Sequence, residues 1–268
     1  MTVFRRQVLA ATVLAAVAVA APVAAFAQDA LEKITSSGTI RIGVPTDYPP
    51  YGFVGTDLQP QGLDVDMAKL VAEKLGATLE MVPVISANRI PYLQTGQTEL
   101  IISTLGKNEE RMKVIDFTHA YSPFFQAVYG PKSMEIADFA DLDGKKIAVA
   151  KGAMEEVELT KVGPAGMEFM RYDDQAQSTA AFVAGQTDVI ATSVSNATLM
   201  AQKNPQLDAE FKLLIKESPN YIGVAKGQDA LRAKVNEIIL AAKADGTLNA
   251  MAEKWLGQPI EGELPLSN

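Results

Sequence analysis

The chain has no cysteine and one histidine, His119. A disulfide framework is excluded, and so is a zinc site built from the usual His and Cys ligands. There is no Gly-x-Ser-x-Gly elbow, no P-loop, and no Gly-x-Gly-x-x-Gly following a strand. A Ser-His-Asp site would have to use His119, in Asp116-Phe117-Thr118-His119. Beyond the N-terminal segment, no stretch is long and apolar enough to span a bilayer. Positive charge is in short supply, with 24 Lys and Arg against 32 Asp and Glu, which argues against a nucleic-acid partner.

The chain opens on an export pattern. Arg5 and Arg6 form a positive n-region, Val8 to Ala21 is an apolar run rich in Ala and Val, and Ala25-Phe26-Ala27 is a small-x-small cleavage site. A signal peptide is expected over 1–27, with cleavage after Ala27; the run is short for a membrane anchor. Sec and twin-arginine export both remain open. Losing Arg5 and Arg6 leaves 22 basic against 32 acidic side chains, a net charge of −10. Without disulfides the mature protein must rely on a hydrophobic core, which about 240 residues can build.

Strand and helix patterns then alternate. Thr39 to Val44 reads as a strand, and Asp47 to Tyr51 as a loop because of its two prolines. Met67, Leu70, Val71 and Leu75 share one helical face over Asp66 to Leu75, and Gly76 stands at the cap. Leu79 to Val84 is a strand, Asn88 to Thr95 a short helix, and Leu100 to Ser103 a strand. The pattern restarts after Gly130-Pro131, with strands over 145–150, 168–172 and 188–192 and helices over 155–161, 175–184 and 194–203. Extended segments over 211–215 and 221–225 precede helices over 229–244 and 247–256. Such alternation predicts βαβ units and mostly parallel sheets. Two α/β lobes would leave a cleft between them, where small ligands usually bind.

The stretch from Ser86 to Phe117 carries the chemistry. Apolar Leu100-Ile101-Ile102 delivers Ser103-Thr104-Leu105-Gly106, and Arg111 follows seven residues after Thr104. Hydroxyls and backbone N–H groups at a strand end, with a guanidinium that can grip both oxygens, suit a carboxylate.

Gly62-Leu63-Asp64-Val65-Asp66-Met67, with the helix after it, resembles the signature of bacterial extracellular solute-binding proteins of the polar amino-acid class, which serve ABC importers. The same order of motifs includes Ile40 to Val44, Tyr48-Pro49-Pro50-Tyr51, Glu110-Arg111 before Asp116-Phe117, Asp245-Gly246-Thr247-Leu248 and Lys254-Trp255-Leu256-Gly257. The resemblance runs the length of the mature chain. It implies an α/β, two-lobed periplasmic-binding-protein fold of type II, with two hinge strands and the ligand cleft between lobes. Crossings near Ser122 to Gln126 and Pro219 to Gly223 would give lobe 1 as 28–123 plus 221–268, and lobe 2 as 124–220. The resemblance also implies a periplasmic monomer that binds a small amino acid by lobe closure and meets an ABC permease in the inner membrane. No catalysis, cofactor or metal is expected.

Carried over residue by residue, the resemblance implies that Arg111 clamps the ligand's α-carboxylate beside Ser103 and Thr104, and that Tyr48 covers the ligand. In lobe 2, Lys151-Gly152-Ala153-Met154-Glu155 matches a turn that points backbone N–H groups, including that of Met154, at the carboxylate. Ser86-Ala87-Asn88-Arg89-Ile90-Pro91 is similar to the glutamate/aspartate-binding subgroup, where the matching serine and arginine face the side-chain carboxylate. A second guanidinium would favour an acidic or strongly polar ligand. On the plainer reading, Arg89 is a surface residue of the short helix and Glu155 a first-turn acid favoured by the helix dipole.

The chain departs from the pattern at several positions. Gly106 stands where Ser or Thr is usual, and Pro45 and Gln175 stand where the subgroup has a further arginine and a histidine. Ser193 falls where the ammonium-binding aspartate belongs. Either Glu155 or Asp47 replaces that aspartate, or the ligand lacks a conventional α-amino acid head. The fold also serves periplasmic dehydratases of the cyclohexadienyl type, and in that alternative Glu155 would be the cleft acid.

Overall fold

The computed structural model describes residues 29–267, so the expected signal peptide lies outside the described residues. Helix α1 (Ala30–Ser37) starts on Asp29, whose side chain accepts from Leu31 N at 2.8 Å, and leads into β1 (Thr39–Val44). A small hairpin sheet follows, made of β2 (Asp47–Tyr48), β3 (Gly52–Val54) and β4 (Pro60–Gln61). Next come α2 (Leu63–Lys74), β5 (Thr78–Pro83), α3 (Arg89–Gln94), β6 (Leu100–Leu105), α4 (Glu109–Val114) and β7 (Ile115–Ser122). The middle of the chain holds β8 (Phe125–Pro131), β9 (Lys146–Ala150), α5 (Met154–Val162), β10 (Glu168–Tyr172), α6 (Gln175–Val183), β11 (Val189–Ser193), α7 (Val194–Lys203) and β12 (Ala209–Glu217). It closes with β13 (Asn220–Ala225), α8 (Asp229–Ala244) and α9 (Thr247–Leu256).

The strands form two five-stranded sheets, ordered β5-β1-β6-β13-β7 and β10-β9-β11-β8-β12. In the first, β1 runs parallel to β5 and β6, and β13 runs antiparallel to β6 and β7. In the second, β9 runs parallel to β10 and β11, and β8 runs antiparallel to β11 and β12. Each sheet is the centre of one lobe. Hydrophobic clusters around Ile40, Val71 and Ile102 and around Leu105 and Phe117 fill the first. Clusters around Val128, Ile147 and Leu159 and around Ala148 and Phe182 fill the second. Leu100, Ile101 and Ile102 are wholly buried in a strand covered on both faces, which explains a continuous apolar run rather than alternation.

The chain crosses between the sheets at Pro123-Phe124 and returns at Ser218-Pro219. The two crossings are bonded together: Ser218 N donates to Phe124 O at 2.9 Å, and Asn220 Nδ2 donates to Ser122 Oγ at 3.0 Å.

Three sequence expectations need correction. His119 lies within strand β7, not in the strand-end loop that the resemblance implies at that position, and β7 and β8 together cover a stretch that local pattern left unassigned. Asp47 and Tyr48 pair with Phe53 and Gly52, so the loop proper is the Pro49-Pro50 turn. Helix α2 begins at Leu63 rather than Asp66. Its first N–H groups find acceptors in the preceding loop, Leu63 N on Pro50 O and Asp64 N on Tyr51 O, so the helix can start without a capping side chain.

Candidate functional site

The ends of β2, β6 and α3 in the first lobe face the ends of β9 and β11 and the N-termini of α5 and α6 in the second. The segment 47–49 reaches across. Asp47 Oδ2 accepts from Gln175 N, the first residue of α6, at 2.8 Å. Tyr48 Oη lies 3.0 Å from Thr192 Oγ1 and accepts from Ser193 N at 2.8 Å, and Asn196 Nδ2 donates to Pro49 O at 2.8 Å. A helix N-terminus is a favourable seat for a carboxylate, so the Asp47 contact is electrostatic as well as geometric. At the opposite rim, a β-carbon on Gly152 would come 3.2 Å from Ala87 Cα, and the residue holds φ +72°. Only glycine meets both conditions cheaply. Outside this contact lies a groove of about 700 Å³, lined by Ser86, Asn108 and Arg111 from one lobe and Val157, Lys161 and Lys216 from the other.

Two guanidinium groups are buried where the lobes meet. Arg89 is 3% exposed, so α3 turns it inward rather than presenting it on the surface. Its Nη1 donates to Ser103 O at 2.6 Å and to Thr104 O at 3.1 Å, and its Nε to Ser86 O at 3.4 Å. Arg111 is 8% exposed, with Nη1 on Gly106 O at 2.9 Å and Nη2 on Gly152 O at 3.0 Å. These bonds fix both side chains and leave N–H groups unused, at Nη2 of Arg89 and Nε of Arg111.

Burial, reinforced by the neighbouring charge of Arg89, pulls Arg111 down to about 9, which still leaves it cationic at neutral pH. Burial also lowers Arg89, against the pull of Glu155, Asp47 and Asp64. The two cations therefore repel each other in a desolvated site. Glu155, 2% exposed, is raised by burial despite both arginines, and its Oε1 has no hydrogen-bond partner. Burial likewise raises Asp47 and Tyr48.

Thr104 is the residue on which the strand end turns. It adopts φ +42°, a left-handed conformation rare for a β-branched side chain. Asp64 supports it from below: Oδ2 accepts from Thr104 N at 2.8 Å and Oδ1 from Tyr121 Oη at 2.7 Å. Strain held in place by a buried carboxyl is a common mark of a ligand site.

The model of the bacterial extracellular solute-binding proteins, family 3, matches residues 40–258. The chain belongs to this family. The L-cystine-binding protein TcyJ of Escherichia coli is 27% identical over 258 residues, covering 95% of this chain and 97% of its own. The L-glutamate/L-aspartate-binding protein of Pseudomonas aeruginosa is 28% identical, covering 94% of this chain and 88% of its own. Among solved structures, the solute receptor for L-cysteine of Neisseria gonorrhoeae superposes with a TM-score of 0.79 at 31% identity, over 84% of this chain and 93% of that one. The expected class, an extracellular solute-binding protein of amino-acid ABC importers, is borne out, and so is the type II two-lobed fold.

Against that family, the solute-binding protein's departures acquire structural reasons. At Gly106, a β-carbon would come 2.7 Å from Ser218 Oγ and 3.0 Å from Met154 Cε, so the space of a hydroxyl-bearing side chain is already taken. Ser193 caps α7 by accepting from Asn196 N at 3.0 Å, while its own N–H is held by Tyr48. Met154 and Glu155 open α5 behind Ala153, which offers no side-chain cap to the first N–H groups of the helix. Arg111, Arg89, Thr104, Ser103, Ser86, Gly106, Tyr48, Asp47, Met154, Glu155 and Ser193 all lie along the meeting edges of the lobes. His119 does not: it is on β7, with Nδ1 accepting from Ser267 N at 3.0 Å. Sequence reasoning missed Asp64 as a support, and Thr192 and Asn196 as cross-lobe hydrogen-bond partners of the 47–49 segment. The Asp64 signal was present in the Gly62–Met67 motif; the others carry no local mark.

Proposed function

We propose that this solute-binding protein is the exported, periplasmic capture component of an amino-acid ABC importer, and that it works as a monomer delivering ligand to an inner-membrane permease. Its ligand is a small carboxylated, polar amino acid, acidic or zwitterionic. The lobes follow the limits 28–123, 124–220 and 221–268, give or take the two-residue crossings. Arg111 holds the α-carboxylate together with Thr104 and the N–H groups at Gly106 and Met154. Arg89 and Ser86 read the distal polar group. Asp47 and Tyr48 seal the cleft by gripping α6 and the end of β11, and Ser103 fixes Arg89.

The observation that carries this reading is the pair of buried guanidiniums where the lobes meet, each tied to backbone carbonyls and each with N–H groups to spare. An anion there offsets two desolvated positive charges and fills the unused donors. The relatives are named as binding proteins, which favours capture over the dehydratase alternative.

A thermal-shift screen with L-glutamate, L-glutamine, L-cystine and L-arginine, followed by titration calorimetry, tests it. At least one of the first three should stabilise the protein by mass action. Arg111→Ala should then cost about 2–5 kcal/mol of binding, the range for truncating one partner of a desolvated charge pair. Unchanged affinity would remove the clamp. Arg89→Ala should alter the ranking of ligands rather than weaken all alike.

A further inference from the structure

Strand β7 stands at the edge of the first sheet, with β13 on one side only. A sheet edge presents backbone groups that no neighbouring strand answers, and proteins usually cover it. Here residues 264–267 do so. Ala120 N donates to Pro265 O at 3.0 Å, and Ser267 N donates to Nδ1 of His119 at 3.0 Å. Leu264 is buried in the cluster that holds Phe117, Ala120 and Tyr221, whereas Leu266 points outward and is 60% exposed. Lys107 Nζ donates to Ser267 Oγ at 3.3 Å. The segment is thus a strap along β7, fastened by an apolar plug, a backbone bond, a lysine and the only histidine in the sequence.

The histidine bond depends on protonation. A backbone N–H can only donate, so Nδ1 must carry the lone pair and the neutral ring keeps its hydrogen on Nε2. A protonated imidazole donates from both nitrogens and would set one N–H against another. The surroundings also disfavour a further cation. Arg232 of α8 acts on the ring through its charge, and Lys107 holds the same serine. Asn236 of α8 is uncharged and accepts from His119 N at 2.7 Å through Oδ1. Acids on the neighbouring elements are already paired: Asp229 of α8 with Arg232, Asp116 of β7 with Lys226, and Glu263 just ahead of the strap with Lys243. Burial and the charge of Arg232 hold the imidazole below the ordinary histidine range.

We propose that residues 264–267 form a pH-released strap with His119 as its catch: the neutral ring holds the strap on β7, and the protonated ring lets it go. The sign follows from linkage. The ring on the docked strap binds its proton more weakly than a free histidine, whose value is about 6.5. The catch therefore contributes fully above that pH, and its contribution is lost as pH falls below it. Release uncovers the β7 edge directly before the chain crosses to the second sheet at Pro123-Phe124.

The sequence has no cysteine, so Leu266→Cys provides a single thiol for a nitroxide label on the outward side of the strap. Label mobility is followed by electron paramagnetic resonance from about pH 8 to about pH 5, a range that spans histidine titration, with circular dichroism at each pH so that only folded protein is read. In the otherwise wild-type chain the label should be immobile at the alkaline end and become predominantly mobile, with a midpoint below about pH 6.5. Adding His119→Asn, whose Oδ1 can accept from Ser267 N without titrating, should keep the label immobile throughout. Adding His119→Leu, which offers no acceptor, should leave it mobile throughout. One mobility across the whole range with His119 in place overturns the proposal, and so does a label that loosens in the His119→Asn background with the same midpoint. An immobile label in the His119→Leu background overturns it too, because the plug and the Pro265 bond would then hold the strap alone.

Discussion

Asp64 illustrates what a single buried carboxyl does here. It is fully buried, and burial pushes it up to about 7, against the bonds from Tyr121 and Thr104 and the charge of Arg89. Its folded-state value lies above an ordinary aspartate's, so between about pH 4 and pH 7 the folded protein binds this proton more tightly than the unfolded chain. The contribution of Asp64 to stability therefore falls as pH rises through that window and is flat above it. Urea midpoints measured across the window should show a steeper loss for wild type than for Asp64→Asn, whose amide oxygen can still accept from Thr104 N. Parallel slopes would mean that Asp64 does not titrate there. At this scale the sequence was partly readable. Arg111 and Thr104 stood out because their spacing is local. The burial of Arg89 did not, because the carbonyls of Ser103 and Thr104 that draw it in are 14 and 15 residues away.

Among elements, the segment from Asp47 to Pro49 is the closing contact. It joins the N-terminus of α6 through Asp47, the end of β11 through Tyr48, and α7 through Asn196. These bonds touch the lobes and not a particular side chain of the ligand. Asp47→Ala should weaken every bound amino acid several-fold by a similar factor, as measured by calorimetry across two ligands. A change in ligand ranking would instead place Asp47 in contact with the ligand. Helix limits were the best-read elements: Val194–Lys203, Asp229–Ala244 and Thr247–Leu256 match the sequence expectation residue for residue. Punctuation by Asp245-Gly246 and Gly257 made the last two so, with both glycines in the left-handed conformation. Strands β7 and β8 were unreadable because polar Asp116, Thr118, His119 and Gln126 interrupt their apolar pattern. The polar groups of β7 are answered by distant ones: His119 N donates to Asn236 Oδ1, 117 residues away, and Thr118 Oγ1 accepts from Ile222 N.

For the molecule as a whole, two sheets are joined by two short crossings bonded to each other, and the buried charged groups Asp64, Arg89, Arg111 and Glu155 are gathered towards the meeting of the lobes. The alternation of strands and helices made two α/β units legible, and the motif order made the family legible. The strand order was not, since β13 enters the first sheet between β6 and β7 after a long excursion through the second lobe. The same excursion hid the cross-cleft bonds of Tyr48, whose partner Thr192 is 144 residues away. The most direct measurement is a crystal structure with the best ligand from the thermal-shift screen. The account predicts the ligand carboxylate within hydrogen-bond distance of an Arg111 N–H, inside lobes that meet at Gly152 and Ala87. A ligand seated there while Arg89 and Arg111 keep only their backbone carbonyl partners would contradict it.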